Sequence, residues 1–332
     1  MKREEILSRL GYTVPDCKKK RVIIVSDINC EADDPFAIMQ HLLTPSFDIR
    51  GIIACHFEYG ARMAEEMLKN HPELREQAEK SEKMTPRFTS TEKSYEEGKL
   101  ILKHAGIDDV PLFRGTKCEI SDRLNPPESE GADFIIQEAL RDDPNPLYVC
   151  MLGAETDLAI AYLKCPEIAE HLTAVGILGG PYPSGGWEFN LIGDVESVNV
   201  LFESPIPYWQ IPMNVYGTSE ISFAELVRNV RPCGEIGRWL VSQMFAFQQK
   251  MAERERPFPN AEIWSIGDNP TAGVLLQGEV AGRWHTEKAP YINADCSYTP
   301  NPEGREIRVY DSYNSRLTIH DLFAKLQLCY GE

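Results

Sequence analysis

The chain has 332 residues, 42% hydrophobic and 26% charged, the balance of an ordinary soluble globular protein. Its formal charge of −17 and isoelectric point near 4.9 argue against a nucleic-acid or anionic-membrane partner, because phosphate binding needs a basic face. No apolar run approaches the roughly 18–20 residues that span a bilayer. The amphipathic start, "MKREEILSRLGYTV", lacks the apolar core of a signal peptide. The nine cysteines are odd in number and contain no CxxC pair, which fits neither a disulfide framework nor a zinc site. A cytoplasmic location is expected.

In chain order, "KKRVIIVSD" is expected to be a buried strand, with a basic lead-in and a continuous β-branched run. "DDPFAIMQHLLT" reads as a helix start, with Asp34 as N-cap and Pro35 at the first helical position. "FDIRGIIACH" is a second strand, and this strand–helix–strand order implies a parallel sheet with crossover helices. The pattern repeats: strands at 110–115, 146–153 and 172–180, and at "IPYWQIPM", alternate with helices at 131–142 and 156–165 and at "DVESVNVLFES". Residues 224–252 are mostly helical, and "REIRVYDSY" and "TIHDLFAKLQL" form a closing strand and helix. No linker interrupts the series. The expected fold is α/β: one large domain over 1–332, with a mostly parallel central sheet flanked by helices. A polar, helix-prone insertion occupies about 60–100.

In open α/β sheets, ligands bind beyond the carboxyl ends of the strands. There the sequence supplies "VSDINCEADDPFAI", "CHFEYG", "MLGAET", "GGPYPSGGWEFNLIGD" and "WSIGDNPTAG". The first gathers Asp27, Glu31, Asp33 and Asp34 with Asn29, and the last places Asp268 before a helix start at Pro270. Clustered carboxylates need a cation to offset their repulsion. An oxygen-rich set without His or Cys at ligand spacing favours Ca²⁺, with Mg²⁺ second, over zinc. In the plainer alternative, Asp33 and Asp34 only cap a helix while Asp27 and Glu31 are solvated.

These motifs resemble the inosine–uridine nucleoside hydrolase family, which follows its first strand with D-x-D-P-G-x-D-D. Without gaps, Asp27 takes the first Asp, Asn29 the second, and Asp33 and Asp34 the final pair. "MLGAETDLAIA" is similar to the family's T-G-P-L-T-N-I-A segment, "GILGG…WEFNLIGDVES" to M-G-G…E-F-N-x-x-x-D-P-E-A, and "GDNPTAGVLL" to H-D-P-x-A. The motifs run in family order from about residue 20 to 280. The branch most resembled is a divergent one with a D-x-x-x-E-x-D-D signature, often described as uncharacterised or cellulose-binding.

The resemblance implies a calcium-dependent hydrolase of an N-ribosidic or related glycosidic bond, acting on a small nucleoside or sugar. It also implies a homodimer or homotetramer. Asp34 and Asp268 would hold calcium through carboxylates and Leu152 through its carbonyl, with Asn29 at the bridging position. Asp33, Glu188 and Asn190 would hold the sugar hydroxyls. Two positions depart from the pattern. Asn29 stands where the family has its general base, and an amide can coordinate a cation but cannot take a proton, so Asp27 or Glu31 would have to do so. Gly267 stands where purine-type members place a His, which leaves His56 and Glu58 as the nearest candidates to assist the leaving group or substrate. Trp187 and Tyr182 could stack on a ring. The alternatives are an inactive sugar-binding module of the same fold and, more remotely, a haloacid-dehalogenase-like phosphatase.

Overall fold

The computed structural model describes residues 1–70, 86–253, 262–278 and 282–331. Its centre is an eight-stranded sheet in the order β3-β2-β1-β4-β5-β6-β12-β9. β1 (Lys20–Ser26), β2 (Phe47–Ala54), β3 (Leu112–Arg114), β4 (Leu147–Met151), β5 (Leu172–Ile177) and β6 (Tyr208–Ile211) run parallel. Two short antiparallel pairs lie outside the sheet: β7 (Glu220–Ser222) with β8 (Ile263–Ser265), and β10 (Tyr291–Ile292) with β11 (Tyr298–Thr299). β12 (Glu306–Ser312) joins β6 in parallel, and β9 (Arg283–Lys288) closes the edge antiparallel to β12.

β1 explains why the sheet is buried on both faces. Val22 and Ile24 pack into one core with the Asp34–Leu42, Gly234–Ala252 and Ser315–Tyr330 helices. Ile23 and Val25, on the opposite face, pack with the Glu130–Ala139, Thr156–Lys164 and Val195–Glu203 helices. A strand covered on both sides can be apolar throughout, which is what "VIIV" encodes.

Every strand and helix expected from the apolar runs is present. Of the expected insertion at 60–100, the Tyr59–Asn70 helix and the start of the Ser90–Ala105 helix are described; 71–85 lie outside the described residues. The edge strand β9 was not foreseen. Its sequence, "RWHTEK", is mostly exposed and charged, so it carries neither an apolar run nor a strand-like alternation. Among the described residues, no helix is long and apolar enough to cross a membrane. All nine cysteines are free thiols.

Glycine sets the approach of one helix to the sheet. A Cβ on Gly131 would lie 2.4 Å from Ile53 Cγ2, inside the core. Gly131→Ala is therefore expected to destabilise the fold by about 1–3 kcal/mol through overpacking, read as a lower midpoint in thermal or urea denaturation.

Candidate functional site

The chain moves from β1 outward to β2 and β3, then resumes on the other side of β1 with β4 and β5. β1 and β4 are therefore the strands between which the order reverses, and ligand crevices form beyond the carboxyl ends at such a point. There Asp33, Asp34 and Asp268 converge, each offering a carboxylate oxygen within 4.8 Å of the other two. Asp33 and Asp34 come from the loop after β1. Asp268 is brought in from far along the chain by a segment pinned to the Asp34–Leu42 helix, where Asn269 Nδ2 donates to Gln40 Oε1 at 2.6 Å.

The carboxylates do not cap that helix. It begins at Asp34, with Pro35 second, and Asp33 at the N-cap makes no side-chain cap bond. Asp34 Oδ1 instead accepts from Ser26 Oγ. Burial, then the neighbouring negative charges, holds Asp27, Asp33 and Asp268 well above the usual carboxylate range. Burial and Asp34 push Glu31 up in the same way. Asp27 is not solvated, being 4% exposed, and its Oδ1 occupies space that only a glycine at 153 leaves open, 2.6 Å from where a Cβ there would stand. Three buried oxygens from three carboxylates fit a hard cation. Cys30 is not part of this cluster among the described residues, and burial, then Asp27, raises its thiol above the ordinary range.

The loop after β5 supplies the polar neighbours. Glu188 is buried, and its carboxylate accepts from the backbone N–H groups of Gly179 (2.9 Å), Leu191 (3.0 Å) and Asn190 (3.1 Å). It thereby caps the Phe189–Gly193 helix. Asn190 Nδ2 donates to the carbonyl of Leu152 at 2.9 Å and that of Ile177 at 3.2 Å, which ties this loop to the end of β4. A carbonyl has a second lone pair, so Leu152 keeps acceptor capacity. Trp187 is 55% exposed, with Tyr59 and Phe189 edge-on at ring separations of 6.5 and 6.4 Å. Tyr182 packs instead against His285 and Tyr298.

Three candidates are placed in other company. Asn29 is exposed, and its Nδ2 donates to Glu97 on the Ser90–Ala105 helix at 3.3 Å. His56 is buried, and its Nε2 meets Thr156 Oγ1 at 2.9 Å. Since Thr156 gives its one proton to Asp194, His56 Nε2 must be the donor. Burial lowers this imidazole to about 4, which leaves it neutral, and the charges acting on it belong to Glu119, Glu58, Arg62 and Arg87 rather than the acidic loop. Glu58 accepts from the backbone N–H groups of Phe88 (2.8 Å) and Ser90 (3.2 Å), which anchors the start of the Ser90–Ala105 helix.

Sequence reasoning missed Tyr216 and Glu155. Tyr216 donates to Glu188 Oε1 at 3.2 Å, and nothing in "MNVYGT" signals that contact. Glu155 lies within "MLGAET", but its burial cannot be read from its neighbours. Burial pushes Glu155 up to about 8 against a hydrogen bond from Tyr208, and Glu188 adds to the rise. The folded state holds this proton more tightly than the unfolded chain, so the stabilisation is complete below about pH 4.5 and is lost as pH climbs towards 8. Glu155→Gln cannot titrate. Its melting temperature relative to wild type should therefore rise steadily between those pH values, as followed by thermal scans.

A mostly parallel α/β sheet with buried carboxylates gathered at its switch point defines the structural class, an α/β fold with a candidate cation site. The sequence profile described as "Inosine-uridine preferring nucleoside hydrolase" matches residues 22–315, and the chain belongs to that family. It is 26% identical over 134 residues to the pyrimidine-specific ribonucleoside hydrolase RihA of Salmonella paratyphi A. That match covers 39% of this chain and 43% of the relative, so the chain spans less than half the length of the curated relative it matches. The fold is similar to a plant nucleoside hydrolase, with a TM-score of 0.70 and 17% identity, covering 94% of this chain and 99% of that one. It is also similar to a purine-preferring ribonucleoside hydrolase from Gardnerella vaginalis, with a TM-score of 0.68 and 16% identity over 94% and 99% of the two chains. The family assignment leaves no place for the haloacid-dehalogenase-like alternative.

Proposed function

We propose that this protein hydrolyses the N-ribosidic bond of a nucleoside, or a closely related glycosidic bond, with calcium as its cofactor. The observation that carries the reading is the convergence of Asp33, Asp34 and Asp268 at the sheet's switch point, in a chain of the nucleoside hydrolase family. Asp34 and Asp268 would hold the cation, with the Leu152 carbonyl as a third donor. When bound, a hard cation supplies positive charge that eases proton loss from water and anchors vicinal hydroxyls.

The chain's own residues account for the rest. Asp33, Glu188 and Asn190 receive the sugar hydroxyls, and the carboxylates offset positive charge developing on the ring as the bond breaks. Trp187, exposed beside Glu188, offers its face to the departing ring. Asn29 cannot accept a proton. Of the two carboxylates that could replace it, Asp27 is only 4% exposed and packs against Gly153, whereas Glu31 is less completely buried. Glu31 is accordingly assigned as the base. The free thiols fit a reducing, cytoplasmic setting, and the assembly expected with this reading is a dimer or tetramer.

The test is a panel of purine and pyrimidine nucleosides incubated with the protein and Ca²⁺, followed by chromatography of the free base. Base release is expected from at least one member. Glu31→Gln should lower kcat by roughly 10²–10⁴-fold, the usual worth of a positioned base, and leave ribose binding intact. Ribose binding without release by wild type would favour the sugar-binding alternative. Full activity in Glu31→Gln would move the role to Asp27.

A further inference from the structure

The two halves of the site come from distant parts of the chain, and one residue touches both. Tyr216 ends a short helical turn, Met213–Tyr216, directly after β6. That turn is bonded to each half. The Met213 N–H donates to the Gly179 carbonyl at 2.9 Å, at the start of the loop that carries Glu188. Three residues past Tyr216, the Ser219 carbonyl accepts from the Ile266 N–H at 2.9 Å, just before Asp268.

The side chain repeats the connection. Its hydroxyl donates to Glu188 Oε1 at 3.2 Å, the one side-chain donor of the four groups that, among the described residues, bond this carboxylate. Its ring covers Gly267. A Cβ there would lie 3.1 Å from Tyr216 Cδ2 and 3.6 Å from Asp33 Oδ2, so glycine lets the ring settle against the segment bearing Asp268. Burial, and then the charges of Glu188, Asp268 and Glu31, raise the phenol's pKa, so it stays protonated and able to donate.

We propose that Tyr216 is a positioning residue that couples the two halves of the site. Its hydroxyl fixes Glu188 for the sugar, and its ring braces the segment that carries Asp268. The inference rests on the nucleoside-hydrolase reading, because it takes Glu188 as a sugar ligand and Asp268 as a cation ligand. The two functions of the side chain are separable: phenylalanine removes the hydroxyl and keeps the ring, whereas alanine removes both.

The experiment is calorimetric titration of the full chain with CaCl₂ and then, at saturating Ca²⁺, with D-ribose, using thermal unfolding to verify that each variant is folded. Tyr216→Phe should weaken ribose binding roughly tenfold, as expected for loss of a hydrogen bond to a charged group, with Ca²⁺ affinity within about twofold of wild type. Tyr216→Ala should weaken both. In a Glu188→Gln background the acceptor is neutral, and the Tyr216→Phe loss should fall to about threefold, because charge-assisted hydrogen bonds are roughly twice as strong as neutral ones. Unchanged ribose affinity in Tyr216→Phe overturns the inference, and so does an equal loss in both backgrounds, while the functional reading stands. If wild type binds no ribose and cleaves no nucleoside at saturating Ca²⁺, the functional reading fails and this inference fails with it.

Discussion

The rest of the site depends on one electrostatic constraint: five carboxylates, Asp27, Glu31, Asp33, Asp34 and Asp268, act on one another in a space that excludes most water. Burial is the largest influence on each of them, and mutual repulsion adds to it for all but Asp34. Such a cluster is costly unless something positive or hydrogen-bonding offsets it. Ser26 and the loop backbone offset part of the cost. A hard cation would offset the remainder, and on this reading the protein's affinity for metal and its chemistry have the same source.

Topology makes the cluster possible. The reversal of strand order between β1 and β4 falls where the acidic loop leaves β1, and the helix starting at Asp34 holds the Asp268 segment through Gln40 and Asn269. Close backbone approach matters as much as charge. Gly153 admits Asp27, and Gly267 admits the Tyr216 ring. Backbone N–H groups and the Tyr216 hydroxyl hold Glu188 in one orientation, which on the proposed reading would reduce the reorganisation needed on binding.

Much of this was legible in the sequence. The continuous apolar runs gave the buried parallel strands, and "DINCEADD", "WEFN" and "GDNP" marked the three segments that meet at the crevice. What stayed hidden has physical causes. Edge strand β9 lacks a buried face, so its pattern is silent. The orientations of Asn29 towards Glu97, His56 towards Thr156 and Glu58 towards Ser90 depend on packing between elements 30 to 100 residues apart. Local spacing carries no record of such contacts. Tyr216 reaches Glu188 for the same reason, from a turn whose sequence resembles any other.

The most direct test of the account is a crystal of the protein grown with CaCl₂ and D-ribose, with the ion identified by its anomalous scattering. The account predicts one calcium about 2.3–2.6 Å from carboxylate oxygens of Asp34 and Asp268, with ribose hydroxyls lying between the ion and Asp33, Glu188 and Asn190. Calcium bound elsewhere, or ribose seated away from these carboxylates at saturating concentrations, would contradict it.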